Sequence, residues 1–419
     1  MSRNQRKMPS GGDNDMTSNR RKPYFLFLTL LFTAYLENAR AAQSLEFGDL
    51  QIGARLQSLY IYSDSNVISD RDQSDFLVRR ARLNAKGSVN SWIRLGMQTE
   101  FAEDPKNSSA DARIIDAYAQ FIPDRRYQFI LGEYMAPALR QNLTQSNALL
   151  AMDRPGVIYK SQSWGSNAKT RFDTLTMNNT DAGLRGNVAV RDMGVTLFGV
   201  NAFNDSLHIK YYAGVYDGAQ SATGDRFTTR VQVNVGDGED GYYNSSYYSG
   251  NIDTVALGLS YDTQSHVAVD AQNGKPVDYR LISLDIFAEK PALGGSVCAE
   301  AALIQLDLGD ANQLRADNST SLLSTTAARS SAGKGGYLQL GYTKAVWQPW
   351  IEWERWQSDS PLNEGSYRSA RLGLSYTLVP NKATLKLAYE ETDAESAFVS
   401  EFGSDTRINS VAFGVFLSL

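Results

Sequence analysis

The sequence predicts an all-β fold: a transmembrane, up-and-down, antiparallel β-barrel of about 16 strands over residues 42–419. Three observations support this prediction. Short runs in which apolar and polar residues alternate recur along the chain. The last run, Asn409–Leu419, alternates up to the final residue, as the closing strand of a lipid-facing barrel does. Residues 1–41 have the features of a segment that directs export.

The N-terminal segment has the three parts of a cleavable signal peptide. Residues 20–22 are basic, and Tyr24–Leu36 is an apolar stretch shorter than the ~20 residues of a membrane-spanning helix. The sequence Ala-Arg-Ala at 39–41 then provides the small residues that a cleavage site requires. We therefore expect residues 1–41 to be removed as a signal peptide. The alternative is an anchor helix that is not cleaved.

Composition and charge narrow the classes of protein. The 419 residues include 41 Lys and Arg and 46 Asp and Glu. Residues 1–41 hold seven of the bases and three of the acids, so the mature chain has 34 basic and 43 acidic residues and a net charge of −9. This balance argues against nucleic acid as a partner.

The mean hydropathy of −0.35 argues against a bundle of membrane helices but not against a barrel, because only half of each barrel strand faces lipid. Cys298 is the only cysteine, which excludes a disulfide within the chain.

The alternating runs give the predicted strands in order. In Leu50–Tyr62, apolar residues share one face, and the polar residues at 51, 55 and 57 share the other. Phe76–Gly87 and Ile93–Phe101 continue the pattern with basic residues on the polar face. Runs with the same alternation follow at Asp116–Phe121, Arg230–Val235, Val255–Tyr261, Arg371–Tyr376 and Thr384–Glu390. Trp347–Trp356 can also be read as a helical stripe, but its proline favours a strand.

Two kinds of connection separate the runs. Residues 86–91, 122–126 and 379–382 have the composition of tight turns, whereas Glu239–Gly250 and Gly309–Lys334 are long and polar. Alternating short and long connections are typical of periplasmic turns and outer loops. The longest irregular stretch, Gln141–Thr180, is long enough to fold into the bore and narrow it.

Residues 75–155 contain a series of motifs whose order and spacing are specific. They are Asp75–Gly87 (DFLVRRARLNAKG), Trp92–Phe101 (WIRLGMQTEF), Ile115–Phe121 (IDAYAQF), Phe129–Pro137 (FILGEYMAP) and the looser Leu150–Pro155 (LAMDRP). In these motifs the chain resembles the phosphate-selective porin O/P family of outer-membrane porins. The resemblance implies a trimeric, water-filled pore of about 16 strands in the outer membrane of a Gram-negative bacterium.

The chain departs from the family pattern in three places. Its last residue is Leu419, whereas family members commonly end on an aromatic residue. Thr180–Arg185 (TDAGLR) stands where the family has a run similar to RDIG. The family name implies anion selectivity, whereas the mature chain is acidic overall.

The polar faces of the predicted strands supply candidate channel-lining residues. These are Arg80, Arg82, Lys86, Arg94, Glu100, Asp116 and Arg230. Channels select ions with rows of charged side chains, and neighbouring strands lie ~4.8 Å apart, so the basic candidates can form a patch on one wall. One hypothesis is that this patch attracts small anions at the constriction. The alternative is a solvated face whose arginines pair with Glu100, Asp116 and Glu133.

Arg79 does not fit the alternation. Its position in the run places it on the lipid face, where a charge is costly at mid-depth. Either Arg79 lies near the lipid headgroups, or the strand register shifts at this point.

Catalytic and metal-binding chemistry has little support in the sequence. The chain has two histidines, His208 and His266, and lacks the motifs of a hydrolase elbow, a zinc protease or a phosphate-binding loop. The sequence lacks a cluster of Cys and His residues that would suggest a metal site. The acidic stretch Asp237–Asp240 lacks the ligand spacing of an EF-hand. We therefore predict no enzymatic activity, no metal site and no cofactor.

These features together predict an outer-membrane porin that lets small hydrophilic solutes and ions diffuse passively, with a preference for anions such as phosphate as the finer expectation. Its expected partners are outer-membrane lipid and two further copies of itself in a homotrimer. No plug domain precedes the first run, which favours diffusion over energised transport. The alternatives are a surface adhesin or soluble β-sandwich, which would fold without detergent, and a barrel hydrolase that uses His208.

Overall fold

The computed structural model describes residues 49–63, 74–101, 112–162, 191–218, 224–270, 273–309, 314–316, 332–359, 366–394 and 407–419. The predicted signal peptide (1–41), residues 163–180 of the long irregular stretch, Thr180–Arg185 and most of Gly309–Lys334 lie outside these ranges. The described residues form seventeen strands in one sheet and two short helices between the fifth and sixth strands. In this part of the chain, no helix has both the length and the apolar character needed to cross a bilayer.

The strands begin and end close to the predicted runs. In chain order they are β1 (Gln51–Ser63), β2 (Ser74–Ser88), β3 (Ile93–Glu100), β4 (Arg113–Asp124), β5 (Tyr127–Met135), β6 (Arg191–Asn204), β7 (Leu207–Tyr216), β8 (Arg226–Gly236), β9 (Thr254–Asp270), β10 (Pro276–Ala292), β11 (Gly295–Asp307), β12 (Leu314–Ala316), β13 (Gly333–Thr343), β14 (Trp347–Ser358), β15 (Tyr367–Val379), β16 (Ala383–Ala394) and β17 (Arg407–Ser418). The helices are α1 (Arg140–Leu143) and α2 (Gly156–Gln162).

The sheet closes into a barrel. Each long strand pairs antiparallel with the next, and β17 pairs with β1 in a register that places Val415 opposite Ser58. The three-residue β12 pairs only with the end of β9, while β11 pairs directly with β13. The wall therefore has 16 strands, and the predicted up-and-down barrel is confirmed.

The two faces of the wall are opposite in character to those of a soluble protein. On β14, Ile351 and Trp353 face outward and are about half exposed, whereas Glu352 and Glu354 face inward and are buried. On β17, the outward Phe413 is exposed and the inward Ala412 is buried. Apolar side chains outside and polar ones inside are what a lipid-facing barrel requires. A soluble β-sandwich would pack its apolar faces against each other, so that alternative is wrong.

The two ends of the barrel differ in their connections. At one end, most strands are joined by tight turns at residues 89–92, 125–126, 205–206, 293–294, 344–346 and 380–382. We call this the turn end and the other the loop end; in bacterial barrels the short turns are periplasmic and the long loops extracellular. The connection between β8 and β9, residues 237–253, is long although it lies at the turn end, where Asp240 contacts Arg125 of a tight turn at 2.9 Å. The prediction from the sequence that Glu239–Gly250 is one of the outer loops is therefore wrong.

Arg79 occupies a β-bulge. The register between β1 and β2 shifts so that Arg80 lies opposite Gln57 and Val78 lies opposite Ser58, which leaves Arg79 as an extra residue. A bulge re-aims the side chains on either side of it. As a result, Val78 faces outward, while Arg79 and Arg80 both reach Asp153 in the interior at 2.9 Å. Of the two explanations for Arg79, the register shift is therefore confirmed.

Residues 136–162, which we call the inner loop, lie inside the barrel. Most of them are buried, and they contact widely separated strands. Asp153 binds Arg80 on β2, the backbone N–H of Val157 donates to Glu354 on β14 at 2.9 Å, and Lys386 on β16 donates to three successive carbonyls of the loop (residues 149–151) at 2.8 to 3.2 Å. The described part of the stretch predicted to fold inward therefore crosses the bore.

Candidate functional site

The inner loop meets a second loop inside the bore. The second loop is the β8–β9 connection, residues 237–253, which we call the turn-end loop. Arg140 of the inner loop donates to both carboxylate oxygens of Glu239 at 2.8 and 2.9 Å, and both side chains are buried. The Asn244 backbone N–H donates to the Leu143 carbonyl at 3.0 Å. Two loops that enter from opposite ends are thus linked by backbone and ionic contacts, and together they narrow the bore.

The turn-end loop is also fixed to the wall. Lys210 on β7 donates to the side-chain oxygen of Asn244 at 2.7 Å. Glu289 on β10 accepts hydrogen bonds from the backbone N–H of Tyr248 at 2.6 Å and of Gly250 at 2.5 Å. Burial opposes the ionisation of Glu239, but the adjacent Arg140 guanidinium outweighs it and lowers the pKa of Glu239 to about 2. The link between the loops is therefore ionic at neutral pH.

One part of the bore is lined by cations that water can reach. Arg55, Arg82, Lys86 and Arg191 border a solvent-open cavity, together with Asp116 and Tyr243. We call these four cations, with Glu100 and Asp116, the basic wall. Arg55 and Arg82 lie directly opposite each other on β1 and β2. Arg82 pairs with Glu100 at 2.5 Å and Arg191 pairs with Asp116 at 2.9 Å. Arg55 and Lys86 make no ion pair with any residue that the structure describes.

The basic wall contains four of the seven predicted lining residues: Arg82, Lys86, Glu100 and Asp116. Arg80 lies on the same strand, but its guanidinium is held by Gln57 at 2.7 Å and by Asp153. The expected pairing of a β2 arginine with Glu100 is present, whereas Asp116 pairs with Arg191 instead.

The other two candidates lie elsewhere. Arg94 is exposed beside the 89–92 turn, at the mouth of the turn end. Arg230 lies on β8, across the bore from β2, where it binds both Asp285 and Ser260 and is buried. Arg230 is therefore not part of a patch with the β2 arginines, because five strands, β3 to β7, lie between them in the wall.

Sequence reasoning missed several residues of the site. Arg55 shares a polar face with Gln51 and Gln57 in the first run, and that signal was sufficient to include it. Arg191 begins β6 and opens the run Arg191–Gly194 (RDMG), which is similar to the family's RDIG run, and that signal was sufficient to find it. Asp153 belongs to a family motif, but its contact with β2 depends on the path of the inner loop.

A second charged region of the wall is closed to water. On β14, β15 and β16, three carboxylates surround the Arg371 guanidinium: Glu352, Glu354 (at 2.6 Å) and Glu390. All four side chains are at most 1 % exposed. The inner loop covers them through Val157, which donates to Glu354. We call these four residues the carboxylate cluster; its formal charge is negative, but no solvent reaches it.

Comparison with known proteins gives a family match and solved structures of similar fold. The family profile described as "Phosphate-selective porin O and P" matches residues 50–391. The anion-selective porin from Comamonas acidovorans has a similar fold, with a TM-score of 0.55, 12 % identity, and coverage of 88 % of this chain and 99 % of that one. The outer membrane channel DcaP of Acinetobacter baumannii has a TM-score of 0.51, 12 % identity, and coverage of 88 % and 97 %. At these identities the two structures show the fold alone. The search of curated proteins returned no match.

Proposed function

The chain belongs to the phosphate-selective porin O and P family and is an outer-membrane porin, and from this premise we propose that its channel prefers small anions, phosphate among them. The family and the barrel fold indicate a channel rather than an enzyme. The mechanism is diffusion through a bore narrowed by the inner and turn-end loops, with selection by the charges that face water and without energy coupling.

The observation that carries this proposal is the pair of cations in the basic wall, Arg55 and Lys86, that form no ion pair with a described carboxylate. Arg55 and Lys86 border the solvent-open cavity and have no described carboxylate partner. Low-dielectric walls focus the field of such charges into the water between them, which raises the local concentration of anions. The net charge of −9 does not oppose this, because charges on exposed loops are screened within about 10 Å at 0.1 M salt. The anion selectivity of the Comamonas acidovorans porin gives further support.

We also propose that three copies assemble in the membrane and that residues 1–41 are removed on export. Family membership supports the trimer, and the basic, apolar and small-residue parts of the N-terminal segment support cleavage. Migration of the unheated, extracted protein at the mass of three barrels and an N-terminal residue at position 42 are the expected results.

The proposed selectivity is tested by the reversal potential of the protein in a planar bilayer under a salt gradient. The wild type is expected to be anion-selective. The double substitution R55Q/K86Q removes two charges that water reaches, each worth about 1 kcal/mol to an ion close by, so the anion-to-cation permeability ratio should fall by roughly fivefold or more. R280Q, which removes an outward-facing arginine, is the matched control and should leave the ratio unchanged. A cation-selective wild type, or an unchanged ratio in R55Q/K86Q, would refute the proposal.

A further inference from the structure

Two arginines lie side by side on the outer surface of the barrel at the loop end. Arg355 on β14 and Arg368 on β15 are directly opposite each other in the antiparallel register, and both side chains face outward and are exposed. Arg355 lies three residues before the end of β14, and Arg368 is the second residue of β15. Because the loop end is the extracellular end in such barrels, this pair faces the outer leaflet of the membrane.

This arrangement is unfavourable unless an anion is present. Like charges directly opposite each other on a sheet destabilise the pairing, and a charge on the lipid face is increasingly costly with depth. Arg368 has a partner, Asp393, at 2.7 Å. Arg355 has no ion-pair partner within the described ranges, and its neighbour on β13 is Gly336, which has no side chain to cover it. Arg355 is therefore an uncompensated cation at the membrane surface.

An apolar groove lies below the two arginines, on the membrane side. Its outward side chains are Leu338, Ile351, Trp353, Ala370, Leu372 and Tyr389, and its volume is about 370 Å³. Glu352 and Arg371 of the carboxylate cluster also border it, but their side chains are at most 1 % exposed. Ala370 lies directly opposite Trp353 and Ile351 lies opposite Leu372, so a small residue among large ones creates the depression. Arg355 lies two residues beyond Trp353 on β14, and Arg368 lies two residues before Ala370 on β15, so the arginines follow the groove residues on the same outward face.

Other charges border the upper end of the groove. Glu391 lines it, and Arg407 on β17 lies 3.7 Å from Glu391 and 2.9 Å from Asp393. Arg355, Arg368 and Arg407 together therefore exceed these two carboxylates by one positive charge. The ion pairs here are exposed and individually weak, so a phosphate can share their arginines.

We propose that this surface binds a phosphorylated lipid of the outer leaflet. The phosphate lies between the Arg355 and Arg368 guanidiniums, and one acyl chain occupies the groove. Arginine suits this role because its planar fork donates two parallel hydrogen bonds to phosphate oxygens. The phosphate provides most of the binding free energy that favours this lipid. The acyl chain contributes little, because in the groove it only replaces apolar contacts with other lipids by apolar contacts with the protein. The bound phosphate removes the repulsion between Arg355 and Arg368.

The test is the amount of lipopolysaccharide retained by the mature protein when it is extracted from outer membranes in mild detergent, measured by native mass spectrometry. The wild type should retain about one phosphorylated lipid per barrel, and R355Q/R368Q should retain at least tenfold less. R280Q is the matched control. Arg280 is also an outward arginine near the loop end of its strand, but it lies opposite Thr263 and pairs with Asp307 at 3.4 Å, without a second arginine beside it. Its retention should equal that of the wild type.

A second variant and two further measurements make the test of this lipid site decisive. If R355Q/R368Q does not fold, R355Q alone serves, because Arg355 has no described ion pair whose loss would disturb the wall. Titration of the delipidated wild type with lipopolysaccharide, phosphatidylglycerol or inorganic phosphate separates the sources of phosphate, and lipopolysaccharide should raise the temperature of SDS unfolding the most. Equal retention in R355Q/R368Q and the wild type, or equal protection by inorganic phosphate alone, would overturn the proposal. Channel selectivity should not change in R355Q/R368Q, which separates this site from the bore.

Discussion

The basic wall and the carboxylate cluster are two charged regions of the same bore, and they have opposite relations to water. In the basic wall, Arg55 and Lys86 face a solvent-open cavity without a described carboxylate partner. In the carboxylate cluster, one guanidinium is held by three carboxylates and covered by the inner loop. The comparison teaches that counting charges on the inner face does not predict selectivity. A lumen charge acts on a passing ion only where water remains beside it.

The difference has a physical cause in the cost of desolvation. Removing an ion from water costs several kcal/mol, and only close pairing with good hydrogen bonds offsets it. Arg371 is therefore part of the structure of the wall, whereas Arg55 and Lys86 border the open cavity and can act on ions in it. The first and last of the three predictions below test this division, and the second tests the buried link between the loops; they run from the largest expected effect to the smallest.

The largest effect is expected for R371M. It leaves Glu352, Glu354 and Glu390 buried together without their shared cation. Breaking a buried ion pair by removing one partner costs about 3–5 kcal/mol, so the free energy of unfolding should fall by at least that amount. Urea unfolding in lipid vesicles measures it. R55Q is the control on the basic wall and should change stability by less than about 1 kcal/mol. Similar losses in R371M and R55Q would remove the distinction between the two regions.

The next effect concerns the link between the two loops and its dependence on pH. The pKa of Glu239 is lowered to about 2, so its ionised form is favoured in the folded protein. Ionised Glu239 therefore stabilises the folded protein by about 3 kcal/mol. This contribution is complete at pH values above the ordinary carboxyl pKa and is lost as the pH falls through 2. The Arg140–Glu239 link should therefore persist between about pH 8 and pH 5, and single-channel conductance should rise in stronger acid as the turn-end loop separates from Arg140.

E239Q should have the conductance of the separated state already at pH 7, because an amide cannot form the ionic link with Arg140. Asp240, the next residue in the turn-end loop, forms an exposed pair with Arg125, and D240N is the matched control that should retain the wild-type profile. An E239Q conductance equal to that of the wild type at pH 7 would show that the Arg140–Glu239 pair does not hold the loops together.

The sequence was sufficient to predict the wall but not the contents of the bore. Period-two alternation gives the face of each strand residue: in Trp347–Trp356 it puts Glu352 and Glu354 on one side and Trp353 on the other, as the structure has them. The bulge at Arg79 reverses the parity of β2, and only the pairing with β1 reveals it. Ion pairs such as Arg140–Glu239, 99 residues apart, depend on the paths of two loops, and no periodic signal encodes those paths. For the same reason, the sequence could not distinguish the water-facing Arg55 from the sealed Arg371.

The smallest effect compares one carboxylate from each region. Glu100 pairs with Arg82, which lines the open cavity, whereas Glu390 pairs with the sealed Arg371. E100Q should leave Arg82 uncompensated beside water and raise the anion-to-cation permeability ratio by at most about fivefold, the effect of one charge of about 1 kcal/mol. E390Q removes the same charge where no water is present, so the ratio should not change. Reversal potentials measured on both variants distinguish the two outcomes. Equal shifts would mean that the inner loop does not isolate the carboxylate cluster from permeating ions. A shift confined to E100Q would mean that access to water, and not formal charge, determines which residues govern permeation.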